Sequence, residues 1–325
     1  MKILFPADGE LVNYSHCTTQ RSSMELCVPI RGVTEPNALV SCGSITVTSA
    51  SDGTFTLPYC TSSVFNNVTL SCGEDITSVR FVCDFDQRKR YNFFIDDNVF
   101  FLNELVKQHH KSIFDNFYLA FLRKLHDTYG FKVTLNTFYH NSHDPDNFTT
   151  SQIDTRYKSE FEDNSDWLRL AFHAYSEFPA FPYGKAYPEK LPEHYQLVTS
   201  EIRRYAGEKT LIAPVIMHFF KVADKESRMF LAQSGMSCFT ESERYWQDRF
   251  AQIGRTVLAQ YNYQFNQLEL QNLFVVNSHP KEILLQKLEN AYREPGRNFI
   301  LCGTHEQYSY PFYFNYIPEH FDRLD

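Results

Sequence analysis

No stretch of this 325-residue sequence approaches the ~18 consecutive apolar residues that a membrane-spanning helix requires. The opening, MKILFPADGELVNYS, has a four-residue apolar patch before Pro6, Asp8 and Glu10, which is too short for a secretory signal core. The expectation is a cytoplasmic chain with no membrane partner, unless a leader has been cut away. Basic charge is also scarce. The net charge is −8 and the basic cluster Arg88-Lys89-Arg90 is short, so a polyanion such as nucleic acid is not an expected partner. None of the eight cysteines forms a C-x-x-C pair, which removes zinc-ribbon and dithiol redox readings. Six of them precede residue 90, and without a leader buried free thiols are favoured over three disulfides. The serine-elbow, Walker, dinucleotide-binding and H-E-x-x-H motifs are absent as well, and with them most support for the chemistries they carry.

What the chain does hold is enough apolar and aromatic material for a large core: 43% hydrophobic residues, 30 Phe and 20 Tyr. Its length favours two domains over one. Residues 1–88 read as short alternating segments such as SITVTSA, GTFTLPY and NVTLSC with turn residues between them, which predicts an all-β sandwich. From residue 89 to 325, strand-like and helix-like segments alternate: YNFFID, NVFFLNELVKQHH, DNFYLAFLRKLHDTYG, FKVTLNTFY, WLRLAFHAY, and later LIAPVIM, MSCFT, LFVVNS and NFILCGT. Repeated β-then-α units predict an α/β fold with a parallel sheet, either a barrel or an open sheet. Asp115 or Asn116 is expected to cap the helix that Gly130 stops.

The carboxyl ends of the predicted strands collect ionisable residues: Asp96 and Asp97, His173, His218, Asn277 to His279, and His305 with Glu306. Two adjacent carboxylates repel unless a cation, a shared proton or a helix terminus stabilises them. Glu177 follows His173 at a spacing that lets both reach one cation, so Asp97, His173 and Glu177 form a candidate set for one divalent metal. That donor set suits zinc first, then manganese, nickel, cobalt or iron. Each residue also has an ordinary role open to it. Asp97 or Asn98 is a good N-cap for the helix that follows, His173, His218 and His305 can be hydrogen-bonded core histidines, and Glu177 can be a solvated loop carboxylate.

The motifs FFIDDN, FHAYSEFP and THEQY, in that order, resemble the polysaccharide deacetylase superfamily of nodulation-type chitooligosaccharide deacetylases. In layout the chain resembles a bacterial branch with a β-sandwich in front. The resemblance covers about residues 91–325. It implies a deformed (β/α) barrel of about seven strands binding a divalent metal through an Asp and two His. It also implies Asp96 as catalytic base and Asp97 as metal ligand, from alignment of Ile95 to Asn98 with T-F-D-D-G. His173 to Glu177 aligns with H-[ST]-x-x-H, with Glu177 where the second His would stand. His305 aligns with the late acid motif. Three departures stand out: Asn98 replaces a glycine, Glu177 replaces a histidine, and the base-orienting R-x-P survives only as Ala213-Pro214.

The expected function is metal-dependent removal of N- or O-acetyl groups from a carbohydrate, with Asp96 as base and His305 as acid. His218, Glu306 and Tyr308 would contact substrate, the aromatics of EFPAFPYG and EQYSYPFYF would wall a sugar groove, and the sandwich would cover the cleft or set oligomer contacts. Two rivals remain: a glycoside hydrolase using Asp96 or Asp97 with Glu177 as a carboxylate pair, and a non-catalytic carbohydrate-binding protein.

Overall fold

The computed structural model describes residues 1–17, 20–22, 25–86 and 88–310, so Pro311 to Phe314 of the expected sugar wall lie outside the described residues. The chain divides into two compact units. The first comprises Met1–Arg90, Ser242–Gln271 and Glu289–Ile300; the second comprises Tyr91–Glu241, Asn272–Leu288 and the described residues from Leu301 onward. The early unit is thus not confined to residues 1–88, because two later segments return to it.

In the first unit, Thr54–Thr61 and Phe65–Cys72 alternate buried and exposed positions, as period-two side-chain geometry dictates. Lys2–Phe5 and Thr54–Thr61 flank Glu25–Val33 in one antiparallel sheet. A second sheet runs in the order Gln267–Gln271, Ala259–Asn262, Glu10–Asn13, Asp75–Asp84, Phe65–Cys72, Leu39–Cys42, Ile45–Thr48. Val12, Leu26, Val28, Ile30, Leu57, Leu70 and Phe81 build a shared core. The hairpin Ala259–Asn262/Gln267–Gln271 carries none of the early segments' Ser/Thr-rich texture, so its membership of this sheet could not be read from sequence. Arg255 ties it down: its guanidinium grips both oxygens of Glu10, which is 1% exposed. Cys27 and Cys60, opposite each other on neighbouring strands, form a disulfide, where free thiols were expected.

The second unit is built on a five-stranded sheet. Its elements are strand β1 (Arg90–Asn98), helix α1 (Phe100–Lys107), helix α2 (Phe117–Tyr129), strand β2 (Val133–Phe138), strand β3 (Leu168–Ala174), helix α3 (Leu191–Tyr205), strand β4 (Phe274–Val275) and strand β5 (Phe299–His305). The Asn116 side chain caps α2, accepting from the N–H groups of Tyr118 and Leu119, and Gly130 ends it with φ +67°. Strand order is β3-β2-β1-β5-β4, and the pairs β1/β2, β2/β3 and β4/β5 are parallel. Phe101, Leu102, Leu105, Leu119, Leu122, Leu135, Leu170, Phe172 and Ile202 fill the core between sheet and helices.

The closed barrel of about seven strands does not form. LIAPVIM makes only an isolated bridge, Leu211 to Leu170, because Pro214 has no N–H to give a ladder. LFVVNS yields a strand of two residues. The result is an open sheet with a topological switch point: the chain leaves β1 towards β2 on one side, while β5 lies on the other side with β4. In open parallel sheets such a point opens a crevice at the strands' carboxyl ends. Gly303 lets β5 press against β1 there, since a Cβ would fall 2.3 Å from the Phe94 carbonyl oxygen.

Candidate metal centre

A helix starts with N–H groups that lack partners, and Asp97 or Asn98 is the expected cap for α1. Instead Val99 occupies the cap position with no side-chain bond, and Glu306, just past β5, does the work. Its Oε2 accepts from the N–H groups of Val99 and Phe100 at 2.6 and 2.8 Å, and its Oε1 from that of Phe101 at 2.7 Å. Burial pushes the Glu306 carboxyl up to about 8, with the three N–H bonds pulling the other way. Both oxygens are engaged and the residue is 0% exposed, so the structure corrects its expected substrate contact to a helix cap. Asp96 and Asp97 are thereby released from capping. Asn98 is spent elsewhere: it donates to the Ile95 and Asn136 carbonyls and accepts from the Tyr118 hydroxyl.

Neighbouring strand residues normally face opposite sides of a sheet. Here the register slips: Ile95 pairs with Leu135, and the next pair is Asn98 with Thr137, leaving one extra residue on β1. Asp97 absorbs it with φ +63°. A second slip occurs on β3, where Thr137 pairs with Phe172 and Phe138 with Ala174, so that His173 is the residue left over. Bulges re-aim side chains. The two slips bring His173 between both acids: its Nδ1 is 3.8 Å from Asp96 Oδ1 and its Nε2 is 3.1 Å from Asp97 Oδ1.

His218 completes the group from a loop, followed by Phe219 and Phe220 at φ +59° and +56°. Its Nε2 donates to the Glu177 carbonyl at 3.2 Å, which assigns the lone pair of the neutral ring to Nδ1. That Nδ1 lies 3.0 Å from His173 Nε2 and 3.5 Å from Asp97 Oδ1. Three ligand atoms thus form a triangle with edges of 3.0, 3.1 and 3.5 Å. Metal bonds of ~2.0–2.2 Å set donors ~3.3–3.6 Å apart in a tetrahedral shell and ~2.8–3.1 Å apart in an octahedral one. The 3.0 and 3.1 Å edges match the octahedral spacing and the 3.5 Å edge the tetrahedral one. All three residues are buried, and together they could hold a metal ion. Phe138 lies against both imidazoles, with ring centroids 5.3 Å from His173 and 5.2 Å from His218.

Electrostatics separate the two acids. Burial raises the pKa of Asp96, with the charges of His173 and His305 and the 2.6 Å bond from Asn136 opposing that rise. Burial acts on Asp97 too, but its contact with His173 and the charges of His305, His173 and His218 outweigh it and hold the carboxyl below its ordinary range. Gln307 Nε2 donates to Asp97 Oδ2 at 2.8 Å, leaving Oδ1 aimed at the imidazoles. Burial and the charge of His173 push the His218 imidazole down to about 4, which favours the neutral ring that a ligand requires.

Of the residues singled out from sequence, Asp97 and His173 meet as expected, and His218, expected to contact substrate, stands in their triad. Glu177 does not join it: its carboxylate bonds the His143 ring, and only its backbone carbonyl reaches His218. The spacing argument put His173 and Glu177 on one side of a helical turn or in reach across a loop; β3 ends at Ala174, and the loop that follows carries the Glu177 carboxylate to His143. His305 is held by Asn277 at 3.1 Å and its ring meets Tyr308 at 5.8 Å. Asn136 and Gln307 escaped the sequence reading, although an Asn near the end of the apolar segment VTLNTF and a Gln two residues past His305 were the available signals.

Comparison with models of known protein families finds no match, and a search of curated proteins finds none either. Among the described residues no helix is long and apolar enough to cross a membrane.

Proposed function

We propose that the second unit is a metal-dependent hydrolase that removes acetyl groups from a carbohydrate, with Asp97, His173 and His218 holding one divalent cation, zinc in the first instance. The observation that carries the reading is the convergence of three buried ligand atoms, two near the carboxyl ends of β1 and β3 and one from the loop at His218. The motif resemblance supports it further, since an Asp and two His are what that family implies. The second His comes from position 218, where the motif alignment had offered Glu177.

A cation in this triangle supplies Lewis acidity towards an acyl oxygen and lets water act as a nucleophile near neutral pH. Asp96 receives the proton of the attacking water; Asn136 fixes its carboxylate and His173 lies against it, so the oxygen is oriented before substrate arrives. His305, steadied by Asn277, delivers a proton to the departing amine or alcohol. Phe138 and Phe219 pack beside the imidazoles and limit water around them.

The test has two arms. Protein purified without chelator should contain about one metal per chain, His218→Ala should lose it, and Glu177→Gln should keep it. Acetate release from acetylated chitooligosaccharides and acetylated xylan should follow metal content. A metal-loaded chain inactive on both substrates would end the deacetylase reading, and a metal-free wild type with glycosidase activity would favour the carboxylate-pair alternative.

A further inference from the structure

The first unit holds a cavity of about 420 Å³ formed where Asp8 and Arg80 meet the hairpin residues Gln260 to Gln264. We propose that it binds a neutral saccharide. The inference does not rest on the hydrolase reading, because none of these residues belongs to the second unit.

Charge is the first argument. Arg80 is engaged by Asp8 through Nε at 3.0 Å and Nη2 at 2.6 Å, and Arg249, also on the wall, donates to Glu269 at 2.6 Å. Each cation already faces a carboxylate, so a phosphate or sulfate would have to displace one. An uncharged ligand has no such competitor.

Shape and surface are the second. The Arg80 guanidinium lies 4.2 Å above the Tyr263 ring, Tyr261 meets Tyr263 edge-on at 5.1 Å, and Phe65, 55% exposed, meets Tyr261 at 5.0 Å. An aromatic run leading from an exposed ring into a polar cavity suits a ligand with apolar C–H faces and a polar rim, which is the chemistry of a pyranose ring.

The third argument is unsatisfied polarity. The Tyr263 hydroxyl and Gln260 Oε1, on residues that line the cavity, are both buried, and neither has a hydrogen-bond partner among the described residues. Orphaned groups of this kind are costly unless a ligand or water completes them. A sugar hydroxyl accepts from a phenol while donating to an amide oxygen. Water could satisfy the same atoms but has no use for the aromatic run.

Calorimetric titration of the full chain with the unacetylated cellopentaose, xylopentaose and laminaripentaose tests the proposal. At least one should bind. Tyr263→Phe, which removes only the orphan hydroxyl, should weaken binding about fivefold, and Tyr261→Ala at least ~10-fold, with thermal melts confirming folded protein. Binding of none of the three by folded wild type overturns the proposal. So does binding that both folded tyrosine variants retain undiminished. Neither result bears on metal content, so the hydrolase reading stands or falls separately.

Discussion

Glu10 in the first unit and Asp97 in the second are both almost fully buried carboxylates, yet their surroundings are opposite. Both Glu10 oxygens are gripped by Arg255, and one also takes the Ala7 N–H at 2.6 Å, so no lone pair is directed at anything outside the protein. Among the described residues Asp97 has no Lys or Arg as an ion-pair partner; one oxygen takes the Gln307 amide and the other faces His173 Nε2 and the His218 Nδ1 lone pair. The first arrangement is electrically closed and serves stability. The second sets a carboxylate oxygen and an imidazole lone pair around His173 Nε2, a place that a proton or a cation can fill, and that exchangeable occupancy marks a binding site more reliably than burial alone.

If that contrast is sound, Arg255→Ala should have the largest effect on stability. It strands a buried carboxylate and should lower unfolding free energy by about 3 kcal/mol in a denaturant titration, the low end of the range for a broken buried pair because Arg255 is partly exposed. A loss below ~1 kcal/mol would mean the pair is not closed in solution. Asp96→Asn probes the other side: acetate release should fall ~10²–10⁴-fold while metal content and melting temperature hold, as expected when only a proton acceptor is lost. If the metal leaves with it, the roles of the two acids are exchanged. Above pH 8, where the Glu306 carboxyl is ionised and only accepts, Glu306→Gln must point a donor at an N–H and should cost about 1–3 kcal/mol of stability. The smallest effect concerns thiols. Burial pushes Cys83 and Cys302 up to about 12, so at pH 8 only ~10⁻⁴ of each is thiolate, and iodoacetamide should leave both intact in native protein while labelling them after denaturation.

The local grammar of the chain was readable. Asn116 and Gly130 bracket α2 because side-chain capping and a left-handed stop act over a few residues. The strand ends at Asp97 and His173 were legible for the same reason. What sequence could not supply was coupling at a distance. Glu306 reaches α1 from more than 200 residues away and so relieves Asp97 of the capping role that local propensity assigns to it. The two bulges depend on register, which periodicity does not encode. His218, just after the apolar segment LIAPVIM, reads as a core residue or a substrate contact until the loop places it beside His173. The closed barrel failed because apolar runs such as LFVVNS signal burial without specifying a partner strand.

The left-handed backbone at Asp97 carries an evolutionary implication. Glycine sits at φ +63° without strain and Asp tolerates it better than most residues, whereas a residue such as Ala there gives up roughly 1–2 kcal/mol. A lineage selected for robustness alone would drift to glycine at this codon and lose the carboxylate. The aspartate therefore marks a point where thermal resilience and ligand capture pull in different directions, and Asp97→Gly should melt higher than Asp97→Ala even though neither can hold an ion.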